Sequence, residues 1–159
     1  MRRLAIAVGV VFAAVTRADA QRYRVLVASE NGQRSVVEFR PCIPAEGSGC
    51  GAWIDHEAAP DTTIRLTAST SAHFGPGDSV WIERGAIRIR NGNHGSKTIQ
   101  DRRGAATALT LAPMRDYAFV VLNAPDAAGS TIVMVDLSTR SVIANCPMPG
   151  RASAIAMVR

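Results

Sequence analysis

Aromatic residues are scarce in this chain. Two Trp, two Tyr and four Phe make up 5% of it. That shortage weighs against an outer-membrane barrel, which needs aromatic girdles at both interfaces. Lysine is rarer still: Lys97 is the single one among eighteen Lys and Arg residues. No Cys-x-x-Cys or His-x-x-x-His spacing occurs, so the three cysteines and three histidines offer no zinc-site pattern. No Gly-x-Ser-x-Gly marks a nucleophile elbow. Gly75 and Gly77 bracket a proline ahead of a strand pattern, not a helix, and so do not form a phosphate-cradling loop. These absences leave no catalytic residue, metal ligand or cofactor motif to name. The expectation is a non-enzymatic protein without a cofactor.

Long apolar runs are also missing beyond the N-terminus. Arg2 and Arg3 precede an apolar stretch from Leu4 to Val15, and Ala18-Asp19-Ala20 places small residues where a signal peptidase reads. The stretch falls short of the roughly 20 residues a spanning helix needs. Residues 1–20 are therefore expected to be a cleaved signal peptide. Residues 21–159 are expected to be a single all-β domain, exported to the periplasm or secreted, with no transmembrane segment in the mature chain. No cysteine precedes Cys42, so no lipid-attachment cysteine ends the leader. Losing Arg2, Arg3, Arg17 and Asp19 would lower the formal charge from +5 to +3, since three positives and one negative leave. A surplus that mild does not imply nucleic acid.

What is present reads as strands. Tyr23–Ser29 and Arg34–Arg40 flank Glu30-Asn31-Gly32-Gln33, a hairpin with a turn that tolerates positive φ. Ala52–Asp55 fits a short strand. Thr63–Ser69 alternates, with Ile64, Leu66 and Ala68 on one side, and predicts a strand with one wet face. Ser71–Asp78 reads as a loop. Ser79–Arg90 predicts a hairpin about a two-residue Arg84-Gly85 turn, pairing Glu83 with Ala86, Ile82 with Ile87, Trp81 with Arg88 and Val80 with Ile89. Gly104–Pro113 and Tyr117–Asn123 are further strands. Asp136 opens a turn in which its carboxylate accepts backbone N–H bonds from the residues that follow. The expected architecture is an antiparallel meander forming a small sandwich or open barrel.

Three cysteines are an odd count for an oxidising compartment. Cys42 and Cys50, around a Gly- and Ser-bearing loop, are the expected disulfide. Cys146 is expected to be a buried small hydrophobe, its pairing with either of the others being the alternative.

Residues 117–157 resemble one unit of the bacterial YVTN-type β-propeller repeat. The matching residues are Ile132-Val133-Met134-Val135-Asp136-Leu137-Ser138-Thr139, Ser141-Val142-Ile143-Ala144, Pro149-Gly150-Arg151 and Ala154-Ile155-Ala156. The resemblance implies a blade-like meander, and with it the alternative that the chain is a fragment of a periplasmic β-propeller. A complete propeller needs about four or more blades of about 40 residues, which is more than this chain holds.

Two sites compete for function. On the Ser79–Arg90 hairpin, Trp81, Arg88 and Arg90 would share an outward face, extended by Arg84, Lys97, Arg102 and Arg103 into an anion-binding stripe. Its partner would be an anionic envelope component or an acidic protein, not nucleic acid. The other site is Asp55-His56-Glu57, which would serve a small hydrolase or metal-dependent enzyme using His56 as base or ligand. The binding reading is preferred.

Overall fold

The computed structural model describes residues 22–41, 50–126 and 129–158. The expected leader and Cys42 lie outside them. The described residues form twelve strands: β1 (Tyr23–Ser29), β2 (Arg34–Arg40), β3 (Gly51–Asp55), β4 (Ser71–Gly75), β5 (Asp78–Glu83), β6 (Ala86–Asn91), β7 (Gly95–Ile99), β8 (Ala105–Leu111), β9 (Tyr117–Asn123), β10 (Gly129–Asp136), β11 (Ser141–Pro149) and β12 (Ala152–Val158). The one helical element among the described residues is a 3-10 turn at Gly92–His94. The fold is all-β, as expected.

The strands build three four-stranded antiparallel sheets. Sheet I has the order β12-β1-β2-β3, sheet II β4-β5-β6-β7 and sheet III β8-β9-β10-β11. Sheets II and III are simple meanders. Sheet I is completed by the last strand of the chain, which pairs Val27 with Ile155 and Leu26 with Ala156.

Side-chain alternation decides the layering. Along β9, Phe119 and Val121 join a core that also contains Tyr23, Val25, Val37, Phe39 and Ile155 from sheet I. The intervening Ala118, Val120 and Leu122 join a second core with Val80, Ile87 and Ile89 from sheet II. Successive residues of a strand point to opposite faces, so sheet III is the middle layer, apolar on both sides. That is why Ala118–Leu122 is an unbroken apolar run while β5 and β6 alternate. Half of the few aromatics sit in the first core: Phe39 and Phe119 have ring centroids 5.0 Å apart, Tyr23 and Phe119 5.7 Å, and Tyr23 and Tyr117 5.5 Å. Each offset or edge pair adds about 0.5–1.5 kcal/mol beyond area burial.

Two local expectations fail. Ser71–Gly75 is a strand, with a turn at Pro76-Gly77 leading back into β5; Gly77 has φ 78°, which a glycine adopts without strain. Pro76, which cannot donate to a ladder, sits in the turn and outside the strand. Thr63–Ser69, by contrast, is not a strand. Only Thr67 makes a bridge, exchanging backbone hydrogen bonds with Ile155 (3.2 and 3.0 Å). The segment must travel from β3, at one edge of sheet I, to the far edge at β12 before β4 begins. On the way Arg34 of β2 donates to the Asp61 carbonyl (3.3 Å). The alternation of Ile64 and Leu66 with exposed neighbours is real, but it marks the two sides of a crossing strap.

The Asp136 turn forms as expected, its carboxylate accepting from Ser138 N–H (2.8 Å) and Thr139 N–H (3.1 Å). Cys146 is buried and free, which removes the alternatives that paired it. Burial raises its thiol pKa and keeps it protonated.

Candidate functional site

The Ser79–Arg90 hairpin has the register its sequence predicts. Arg84 and Gly85 both take left-handed conformations, φ 50° and 76°, the geometry of a two-residue type I′ turn whose twist suits a hairpin. Glu83 pairs with Ala86, Ile82 with Ile87, Trp81 with Arg88, Val80 with Ile89 and Ser79 with Arg90. Val80, Ile87 and Ile89 are buried against sheet III. Trp81, Arg88 and Arg90 therefore share the face turned away from it, together with Ser71 of β4 and Thr98 of β7 in the Trp81–Arg88 row.

Arg88 is held from three directions. Its guanidinium lies 6.0 Å from the Trp81 ring centroid, its terminal nitrogen donates to Thr98 Oγ1 (2.6 Å), and Nε stands 3.5 Å from Glu83 Oε2. The last contact is a charge approach and not a hydrogen bond, because Nε is buried with no acceptor in bonding geometry. Arg90 is exposed, facing Ser79 and Ser96 across the ladder, with no carboxylate beside it among the described residues. Arg88 thus orients the indole while Arg90 carries the available charge.

Two members of the wider stripe, Lys97 and Arg103, are engaged elsewhere. Lys97 pairs with Ile89, whose side chain is in the core, so its register places it on the opposite face. Arg103 is committed to Asp101 through two hydrogen bonds of 2.8 and 2.6 Å. That clamp lowers the Asp101 pKa and raises that of Arg103. Arg84 occupies the turn itself.

The Asp55-His56-Glu57 cluster is a turn. Asp55 Oδ1 accepts from Glu57 N–H (3.0 Å) and Ala58 N–H (3.1 Å), and its other oxygen is 3.5 Å from Arg24. His56 is exposed at the mouth of a cavity of about 120 Å³ shared with Ser29, Ser35 and Met148. Among the described residues no three His, Cys, Asp or Glu side chains gather as a metal-binding group. A larger cleft of about 220 Å³ is lined by Phe74, Arg115, Asp116, Tyr117 and Asp136. Both its carboxylates have structural work: Asp116 accepts a hydrogen bond from the Tyr23 hydroxyl (3.1 Å), and Asp136 holds its turn. Burial and the Asp116 charge together push the Tyr23 pKa well above the ordinary tyrosine value.

One group of residues escaped the sequence reading. Trp53, Arg40, Glu38 and Arg24 meet on the outward face of sheet I, because β2 pairs with β3 across the segment 41–50. No hairpin turn of readable length fixes that register, so only the alternation within each strand hinted at it. Compared with protein-family models, with curated proteins and with solved structures, the chain matches none of them.

Proposed function

We propose that the protein is an exported, non-enzymatic binding domain that holds an anionic envelope component on the Trp81/Arg88/Arg90 face. One observation carries this reading: the type I′ register puts an indole, a locked guanidinium and an unpaired guanidinium side by side on a solvent-facing sheet. Such a surface offers a stacking plane with a charge-assisted donor next to it. The basic n-region, apolar stretch and small-residue site in residues 1–20 support export. The test uses a Trp53→Phe variant, in which Trp81 is the only tryptophan left of two. Titration with dextran sulfate should change its fluorescence, and Arg90→Ala should weaken the effect about tenfold, the loss of one charge-assisted contact. A flat Trp81 signal removes the proposal.

A second reading is favoured by the construction of the sheets. Each is a four-stranded antiparallel unit, as a propeller blade is. Under that reading the chain is part of a propeller, and self-association would complete the ring. A strictly monomeric species in light scattering counts against it.

A further inference from the structure

We propose that the outward face of sheet I carries a second, independent binding platform, built on Trp53 and Arg40, that takes an acidic sugar unit. Sheets I and II cover opposite faces of sheet III, so this platform faces away from the one containing Trp81. The ligand class follows the proposed function, but the geometry stands by itself.

Trp53 is one of two large hydrophobic side chains exposed among the described residues, at 38%. One edge of its indole rests against Gly51, two residues earlier on the same strand face. A Cβ at Gly51 would stand 3.3 Å from Cζ3 and 3.8 Å from Cε3 of the ring. The absence of a side chain at Gly51 leaves room for that edge, and the exposed part of the ring is open to a ligand. Arg40, paired with Gly51 across the ladder, places its guanidinium 5.6 Å from the ring centroid. Arg40 Nε is buried without an acceptor, and no carboxylate among the described residues pairs with the side chain. With Nε buried, an incoming acid would meet the outer nitrogens, for which the protein supplies no carboxylate among the described residues.

The rest of the face limits what that ligand can be. Glu38, directly opposite Trp53, is buried, and Arg22 (3.0 Å) and Arg24 (3.4 Å) neutralise it. Arg24 also reaches Asp55 at 3.5 Å. With those charges spent on one another and Arg34 turned to the Asp61 carbonyl (3.3 Å), Arg40 is the free guanidinium beside the ring. A nucleic acid gains its affinity from many phosphate contacts, and one unpaired arginine does not supply them. A sugar ring bearing one carboxylate or sulfate fits: the ring stacks on the indole and the acid takes the planar fork of Arg40.

The experiment uses Trp81→Phe, which leaves Trp53 as the only tryptophan, titrated with dextran sulfate, with alginate, with neutral dextran and with inorganic sulfate. Expected is a Trp53 fluorescence change with one or both acidic polysaccharides and none with neutral dextran. Sulfate against carboxylate preference is read from the first two arms. Arg40→Ala should weaken the response about tenfold, and Gly51→Val should reduce it by displacing the indole. Arg40→Lys, which keeps a packed stem and a charge but loses the planar fork, covers the case in which Arg40→Ala does not fold; it too should weaken binding. If Trp53 is silent while Trp81 responds in its own variant, this platform is refuted and the proposed function stands. If only Trp53 responds, the reverse holds; if neither responds, both fall. An equal response to inorganic sulfate at the same anion concentration refutes the sugar as ligand.

Discussion

Asn123 is the side chain whose loss should cost the fold most for its size. It sits at the end of β9, 6% exposed, on the side of sheet III that faces sheet I. Its amide nitrogen donates to Thr107 Oγ1 and to the Ala152 carbonyl, each at 3.0 Å. A carbonyl only accepts, so the contact with Ala152 fixes which way the amide points. Its oxygen faces Ser130 Oγ, which also lies 2.9 Å from the Gly150 carbonyl and accepts from Ala152 N–H at 2.7 Å. Asn123 and Ser130 thereby clasp the start of β12, the strand that completes sheet I, to the middle sheet. Asn123→Ala removes three hydrogen bonds at about 1 kcal/mol each, for a total of about 3 kcal/mol. In a domain of this size that is a fall in Tm of roughly 10 °C. Urea unfolding followed by circular dichroism measures it, with Ser130→Ala and the double variant closing a cycle. Coupling on the order of 1 kcal/mol is expected. A loss under about 1 kcal/mol for Asn123→Ala, or strictly additive variants, would falsify the clasp.

Three further outcomes are expected. Gly104→Ala should destabilise strongly, because its Cβ would stand 2.4 Å from the Asn123 carbonyl oxygen, a backbone atom that cannot yield as a side chain does; expression as soluble protein at wild-type Tm would contradict this. The raised pKa values of Tyr23 and Tyr117 mean that the folded state keeps protons the unfolded chain releases. Their stabilisation is complete below about pH 10, the unfolded tyrosine value, and declines as pH rises toward the folded values. The urea midpoint should therefore fall on the alkaline side and fall less in Tyr23→Phe; at the acid end, the depressed pKa of Asp101 predicts a loss as pH drops below the usual carboxylate range. Mass analysis after alkylation without reductant should show one modified cysteine, Cys146, labelled only on unfolding, with Cys42 and Cys50 joined; two or more labelled cysteines would contradict the pairing.

Much of the local structure was legible. The Arg84-Gly85 turn, the Asp136 turn and the β1–β2 hairpin are written in residues that lie within a few positions of each other. The Trp81 face followed, because a two-residue turn leaves one register. The Lys97 contribution to that face did not follow: the 3-10 turn at Gly92–His94 sets the β6–β7 register, and its length is not apparent from composition. The Trp53 platform was hidden for the same kind of reason, since its residues are joined by β2–β3 pairing across a long connection.

The sequence by itself determined that this is an all-β chain, where its tight turns lie and which faces of β5 and β6 are apolar. Those properties depend on φ preferences, side-chain alternation and hydrogen bonds between near neighbours. Tertiary structure alone decided that Thr63–Ser69 would be a strap, that β12 would complete sheet I and that sheet III would lie between two cores. The order of strands and layers is set by burying apolar faces whose partners, such as Val27 and Ile155, lie more than a hundred residues apart. Neither residue carries a mark of the other in its own neighbourhood, so only the packed chain reveals the match.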